Sequence, residues 1–361
     1  MVFPHHTSYH ILHTTYFSMR LLFITQKLHG QDSFGVLWVR EFLRQGFEVT
    51  VVCLEGGMGG KVGEVGEREE VGFDFPVITL GKEHGASKVE SVLRFEKIIV
   101  AEQYDRVFVH MAPVWYALGF WWWILRGIPT YLWYTHYKMQ AGVWLFGLFG
   151  KRFFCATEQS LPQFKGSPKK MVVGHGIDLR FWSPQNNNAE YAHRLLVVHR
   201  LSRSKRLELS IKALLHLSPE YTLDVYGIEA EGDYIAELKD LVRSLSLGTR
   251  VIFHGSVPST ELSKIYTHHR FLLNMASETI DKTMLEAMTC GCYPVTTKGN
   301  ADAIGIPLAP LLETPEAIAG FIQQYRDRAP IDADAMYRIV QERHSLQRLV
   351  ATMGEYIRSG R

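Results

Sequence analysis

The sequence predicts two α/β domains in series, each a Rossmann-like, doubly wound parallel sheet, facing each other across a cleft. Three observations carry this. Short apolar runs alternate with helix-length segments, the alternation breaks once at the Pro- and Asn-rich stretch "SPQNNNAEYAH" (183–193), and it then resumes. At 361 residues and 47% hydrophobic content, the chain is long enough for two separate cores. In the first half, "RLLFIT" (20–25), "EVTVVCL" (48–54), "DRVFVH" (105–110), "TYLWYTH" (130–136) and "KMVVGHG" (170–176) are apolar, bounded by turn residues, and read as buried strands. Between the first two, "FGVLWVREFLRQG" (34–46) has helical spacing and ends on Gly46, as a C-cap does. The glycine- and charge-rich stretch at 55–72 reads as a long exposed loop, since it lacks the G-K-[ST] ending of a P-loop.

The second series runs through "RLLVVH" (194–199), "YTLDVYG" (221–227), "RVIFHG" (250–255), "RFLLNM" (270–275) and "YPVTT" (293–297). Helices are expected near 205–216, 232–246, 259–267 and 282–290. The expected division is an extension at 1–18, a first domain at 19–182, a linker at 183–193, a second domain at 194–332, and terminal helices at 333–361 that cross back to the first domain. The extension carries His5, His6, His10 and His13 but no continuous apolar stretch with a cleavage site, which argues against a signal peptide; because Met19 directly precedes the first strand, it reads as a disordered or mis-started extension, with a metal site on one helical face of His6, His10 and His13 as the alternative.

Composition narrows the function. With 39 basic and 37 acidic residues, the net charge of +2 gives no global field for nucleic acid. Cys53, Cys155, Cys290 and Cys292 lack the paired clusters of a zinc site and fit a reduced, cytoplasmic setting. In paired sheets of this type a ligand binds at the carboxyl ends of the strands, here in the cleft.

Two stretches place charge there. In "VVHRLSRSKRLELSIKA" a strand ends at His199 and a helix begins near Lys205, which puts Arg200 and Lys205 on the connecting loop beside a helix N-terminus. Two fixed cations and free backbone N–H groups outline a diphosphate site, with a solvated basic loop as the alternative. In "MASETIDKTMLEAMTCGCYPVTT" (275–297), Glu278 follows a strand on a loop and Glu286 lies inside the next helix, one turn after Lys282. A carboxylate accepts two hydrogen bonds, so Glu286 suits the paired hydroxyls of a ribose and Glu278 a sugar hydroxyl. The loop and first helical turn, Thr279, Ile280, Asp281, Lys282 and Thr283, offer backbone N–H groups to phosphate. Lys282 and Glu286 also suit a simple i,i+4 ion pair.

These segments, with "GHGIDLRFWSP" (174–184), resemble the ordered motifs of nucleotide-sugar-dependent glycosyltransferases of the GT-B fold, in the large retaining family four. "HRLSRSKRLELSIKAL" is similar to that family's G-R-L-x-x-x-K-G, and Glu278 and Glu286 match its E-x7-E motif. The chain departs from the pattern at "ETID", where small loop residues are usual, at His175 in place of Asn, and at His199 and Arg206 in place of glycines. The resemblance implies a hexosyltransferase that needs no metal or other cofactor. Arg200 and Lys205 would stabilise the leaving diphosphate, and His136 would face the transferred sugar. Gly35 at a helix start would let backbone approach the donor phosphate. The partners implied are a UDP- or GDP-linked donor and a saccharide or lipid-linked acceptor in glycan or glycoconjugate biosynthesis. His110, at another strand end, is a further candidate on the acceptor side, with a buried core role as its alternative.

Between 115 and 154 the chain gathers six of its eight tryptophans with Arg126, Lys138, Lys151 and Arg152. No run is long enough to span a bilayer, but Trp, Phe and Leu beside cations suit a membrane-surface face, best at residues 141–154 and at the inner face of a membrane. The alternative is that these aromatics pack on the sheet. Two other classes stand against the enzyme: a non-catalytic nucleotide- or glycan-binding module, and a dinucleotide-dependent oxidoreductase. The latter would need a G-x-G-x-x-G between strand and helix, which the sequence lacks.

Overall fold

A computed structural model describes residues 18–31, 33–57, 73–182, 191, 193–276, 281–307 and 310–361. The first sheet has seven parallel strands, β1 (Met19–His29), β2 (Phe47–Gly57), β3 (Val77–Thr79), β4 (Arg106–His110), β5 (Thr130–Trp133), β6 (Arg152–Cys155) and β7 (Lys170–Val172), in the order β3-β2-β1-β4-β5-β6-β7. The order reverses at β1, which pairs with both β2 and β4, the switch point of a doubly wound sheet.

Strand periodicity explains why this sheet is covered twice. Leu21 and Phe23 point into one core with α1 (Phe34–Arg44), while Leu22 and Ile24 point into the other with α2 (Lys88–Ala101), α3 (Pro113–Leu125) and α4 (Ala141–Phe149). Successive side chains face opposite ways, so strands buried on both faces read as continuous apolar runs. Two strands stand outside the expected set. β3 is three residues long, too short for an alternation to show. β6, "RFFC", lies in the stretch read as a surface contact, but Phe153, Phe154 and Cys155 are fully buried, so the expected contact at 141–154 loses its C-terminal end to the core.

The second sheet has five parallel strands, β8 (Arg194–Val198), β9 (Thr222–Tyr226), β10 (Val251–Gly255), β11 (Phe271–Asn274) and β12 (Tyr293–Thr296), in the order β10-β9-β8-β11-β12. It is covered by α5 (Leu207–Ala213), α6 (Gly232–Ser244), α7 (Ser259–Thr267), α8 (Lys282–Thr289), α9 (Lys298–Ile304) and α10 (Pro315–Gln324). Of the two terminal helices, α11 (Ala333–Arg343) gives Met336 and Val340 to this core, and only α12 (Leu346–Ser359) crosses. It buries Leu346, Leu349, Val350, Met353 and Ile357 in the first domain's core. At about 1.5–3 kcal/mol gross for each buried apolar side chain, that face holds the crossing helix down.

Two chain passages join the domains side by side. Gly176 and Ile177 donate backbone hydrogen bonds to His344 O, and Leu346 donates to Ile177 O. Gly174 and Gly176 have φ of +100° and +81°, and a Cβ at Gly174 would lie 2.1 Å from Arg343 O, so this close approach requires glycine.

Asp224, in the middle of β9, is buried, and its carboxylate takes His254 Nε2 at 2.6 Å, His269 Nε2 at 3.0 Å and an Arg194 N–H at 2.9 Å. Burial pushes its pKa up, but the hydrogen bonds from His269, His254 and Arg194 outweigh it and hold the group well below the usual carboxylate range. A carboxylate with a depressed folded pKa stabilises the fold fully above its unfolded pKa of about 4, and that stability drains away as pH falls toward the folded value. We expect Asp224→Ala to lower stability by about 3 kcal/mol at pH 7, a cost moderated by the partial exposure of Arg194 and His254. Urea unfolding checks this, and the wild-type midpoint should fall below about pH 4 more steeply than that of the variant.

Candidate active site

The cleft wall on the second domain is built where β8 ends. After Val198 the chain passes through His199 and the exposed Arg200, makes a short turn at Arg203–Lys205, and enters α5. That turn folds Lys205 inward until 4% of the residue is exposed, and its Nζ donates to both Asp281 oxygens, at 2.6 and 2.7 Å. Asp281 stands at the N-cap of α8, and Asn274 at the end of β11 donates its side-chain N–H to Asp281 Oδ2 at 2.8 Å. The segments that follow two strands, β8 and β11, thus fix one ion pair. Beneath it, His199 is buried, with its pKa lowered to about 4 by burial against the opposing pull of Asp281, and is neutral at physiological pH.

Arg206 explains one departure from the glycine pattern. It adopts a left-handed backbone with φ of +49°, where glycine is the unstrained residue. Its guanidinium donates to Met275 O at 2.7 Å and to Glu313 at 2.9 Å, two bonds that set against a strain of about 1 kcal/mol.

The facing wall comes from the first domain. Thr135, His136 and Tyr137 follow β5, Ala156, Thr157, Gln159 and Ser160 follow β6, and His175 lies in the passage toward the second domain. With Arg200, Lys205 and Asp281 they line a cavity of about 140 Å³. His136 stands exposed on this wall, its pKa lowered first by burial of its ring and then by the Arg200 and Lys138 cations, so the neutral imidazole faces the basic pair. Gln159 reaches across to Gly299 O at 3.4 Å.

The cleft therefore brings together Arg200, Lys205, Asp281 and His136. Glu278, Thr279 and Ile280 lie outside the described residues. Glu286 is buried and does not line the cavity; Tyr266 donates its hydroxyl to Oε2 at 3.3 Å, and Lys282 Nζ lies 3.1 Å from Oε1, the i,i+4 arrangement. Lys282 also sits 5.4 Å from the Phe34 ring centroid, a cation–π contact between the domains.

Gly35, the second residue of α1, is buried, and a Cβ there would come within 3.0 Å of Leu28, so its missing side chain serves the packing of α1 on β1. His110 is not brought to the cleft wall. It lies 5% exposed in an aromatic enclosure, stacked on Trp133 at 4.9 Å and packed by Trp38, Phe34 and Phe23, with its pKa pushed down to about 3 by burial. A strand-end histidine reads alike in both settings; only the rings around it decide.

Asn274, Thr157, Gln159 and Ser160 escaped the sequence reading. The last three follow β6, and once "RFFC" is placed as a strand, the small polar residues after it mark a strand-end wall. The expectation of a metal-free reaction goes with a reading of the sequence as lacking a D-x-D metal motif, but Asp332 and Asp334 do spell that spacing. Asp332 caps α11 through Ala335 N at 2.7 Å, and neither residue lines the cleft.

Comparison with known proteins bears on the fold and on the second domain. Residues 179–303 match the family model of glycosyl transferases group 1. The chain is 27% identical over 154 residues to an alpha-monoglucosyldiacylglycerol synthase of Streptococcus pneumoniae, a match covering 39% of this chain and 35% of that relative's length. Among solved structures, Anabaena HepE in complex with UDP-glucose superposes with a TM-score of 0.71 at 18% identity, over 94% of this chain and 100% of that one. A sucrose-phosphate synthase from Thermosynechococcus elongatus superposes with a TM-score of 0.72 at 16% identity, over 94% and 98%. The chain has the GT-B fold, and its second domain carries the glycosyl transferases group 1 match.

Proposed function

We propose that this chain is a retaining hexosyltransferase that moves a hexose from a nucleotide sugar to a saccharide or lipid-linked acceptor, without a metal ion. The observation that carries the reading is the buried Lys205 ammonium beside Arg200, at the carboxyl end of β8, facing His136 across the cleft. The UDP-glucose held by Anabaena HepE favours a uridine donor, and the name of the pneumococcal relative favours a lipid acceptor. We place the reaction on the cytoplasmic side, in glycan or glycoconjugate biosynthesis.

In this reaction the bond from the anomeric carbon to the diphosphate breaks, and the acceptor hydroxyl adds on the same face. Negative charge grows on the leaving phosphate, where Arg200 and Lys205 stand as fixed cations; such preorganised stabilisation needs no rearrangement at the moment of bond breaking. The acceptor proton passes to a phosphate oxygen. A neutral His136 hydrogen-bonds a hydroxyl of the transferred sugar, Glu278 takes another, and backbone N–H groups from Thr279 to Thr283 hold the phosphates, with the backbone at Gly35 closing from the other domain. Glu286 takes the ribose hydroxyls once Lys282, itself partly exposed, swings out of its ion pair. Closing the domains excludes water and limits hydrolysis.

Release of free nucleoside diphosphate from a panel of UDP- and GDP-sugars, in chelator and with polyprenyl-phosphate and diacylglycerol acceptors, tests the reading. We expect one donor to turn over and Lys205→Ala to slow it by about 10²–10³. Silence with every donor despite nucleotide binding would instead make the chain a binding module. A double-mutant cycle separates the structural from the catalytic part of Lys205: Lys205→Met and Asp281→Asn should each lower stability by about 1–3 kcal/mol, and the pair together by less than the sum. Turnover should stay lost wherever Lys205 is Met.

A further inference from the structure

Helices α3 and α4 hold the sheet with one face and leave an apolar face outward. Trp115, Trp123, Val143 and Phe146 are buried in the core. Trp121, Ile124, Leu125, Trp144, Leu148 and Phe149 are exposed, Leu125 to 71% and Trp144 to 56%. Phe120 and Phe149 stack at 5.7 Å and join the two helices into one surface. Contiguous exposed apolar side chains on this scale mark an interaction site, because scattered ones need no explanation and a cluster does.

Charge identifies the partner. No Asp or Glu occurs between Asp105 and Glu158, while Arg126, Lys138 and Lys151 do; Arg152 packs instead over the Tyr356 ring of α12, at 4.4 Å, on the other side of the sheet. Lys169 adds to the rim at the end of α4, where its Nζ donates to Gly147 O and Leu148 O at 2.8 and 3.1 Å. The neighbouring carboxylate is Glu96 of α2, hydrogen-bonded by Trp121, with a pKa raised by burial. A second copy of this chain would bring like-charged rims together, which disfavours self-association through this face. An anionic lipid surface meets both the apolar face and the cations. Among the described residues no helix is long and apolar enough to cross a membrane, so the face lies on a bilayer rather than through it.

We propose that α3 and α4 form a docking face for an anionic bilayer. It differs from the segment read from sequence: Phe153, Phe154 and Cys155 belong to the core, and the C-terminal half of α3 joins instead. The exposed Tyr137 and Met139 follow the same wall, and Tyr137 also lines the cleft, so docking brings the cleft mouth to the lipid surface. This deepens the lipid-acceptor reading above, but its test needs no turnover.

Sedimentation with vesicles of phosphatidylcholine, alone or with about one-third phosphatidylglycerol, is the experiment. The wild type should bind the anionic vesicles, and Trp144→Ser/Leu148→Ser/Phe149→Ser and Trp121→Ser/Leu125→Ser should each weaken binding by roughly tenfold or more, because each removes buried apolar area. Lys138→Glu/Lys151→Glu should weaken it as raised salt does. UDP binding, unchanged in these variants, shows that they fold and that the donor site is separate. No binding to anionic vesicles, equal binding by the serine variants, or a wild-type dimer that the serine variants dissociate would each overturn the proposal.

Discussion

Lys205 holds an ammonium group where almost no water reaches it, and a charge so placed persists only when it is partnered. The structure meets that requirement with Asp281, and it brings Asp281 there with Asn274 and the start of α8. The ends of two strands, β8 and β11, therefore meet in one ion pair. The turn at Arg203–Lys205 and the left-handed Arg206 frame this lysine, and the buried His199 lies near enough to the pair to feel both of its charges. The same arrangement makes the lysine useful: a cation desolvated and aimed at a cleft stabilises a phosphate more strongly than one in water.

On the proposed reading, a donor would compete with Asp281 for Lys205 and with Lys282 for Glu286. Both cations are held by carboxylates in this structure. Exchange of these carboxylate contacts for phosphate and ribose contacts would couple donor binding to the first turn of α8. Lys282 also touches Phe34 of the other domain, so its release on that reading would loosen a contact between the domains as it freed Glu286.

Much of the fold was legible because parallel strands buried on both faces are written as unbroken apolar runs. Leu21 to Ile24 shows why: each residue has a core to enter. What the sequence concealed were elements too short or too ambiguous for a period to show, β3 with three residues and β6 with "RFFC" read as part of an amphipathic surface. The site followed the same rule. Arg200, Lys205, Asp281 and His136 could be placed because each follows a recognisable strand. Thr157, Gln159 and Ser160 could not, because their strand was hidden, and the enclosure of His110 by Phe23, Phe34, Trp38 and Trp133 is assembled from distant segments that no local pattern reports. The outward apolar face of α3 and α4 was read from composition, but its extent needed the sheet beneath it.

The central claim is that the Lys205–Asp281 pair is the diphosphate seat of the cleft. A crystal structure of the chain with UDP bound tests it most directly. We expect a phosphate oxygen within hydrogen-bond distance of Lys205 Nζ, Arg200 beside the same group, and at least one Lys205–Asp281 bond exchanged. A nucleotide bound elsewhere, with both Lys205–Asp281 bonds intact, would contradict it.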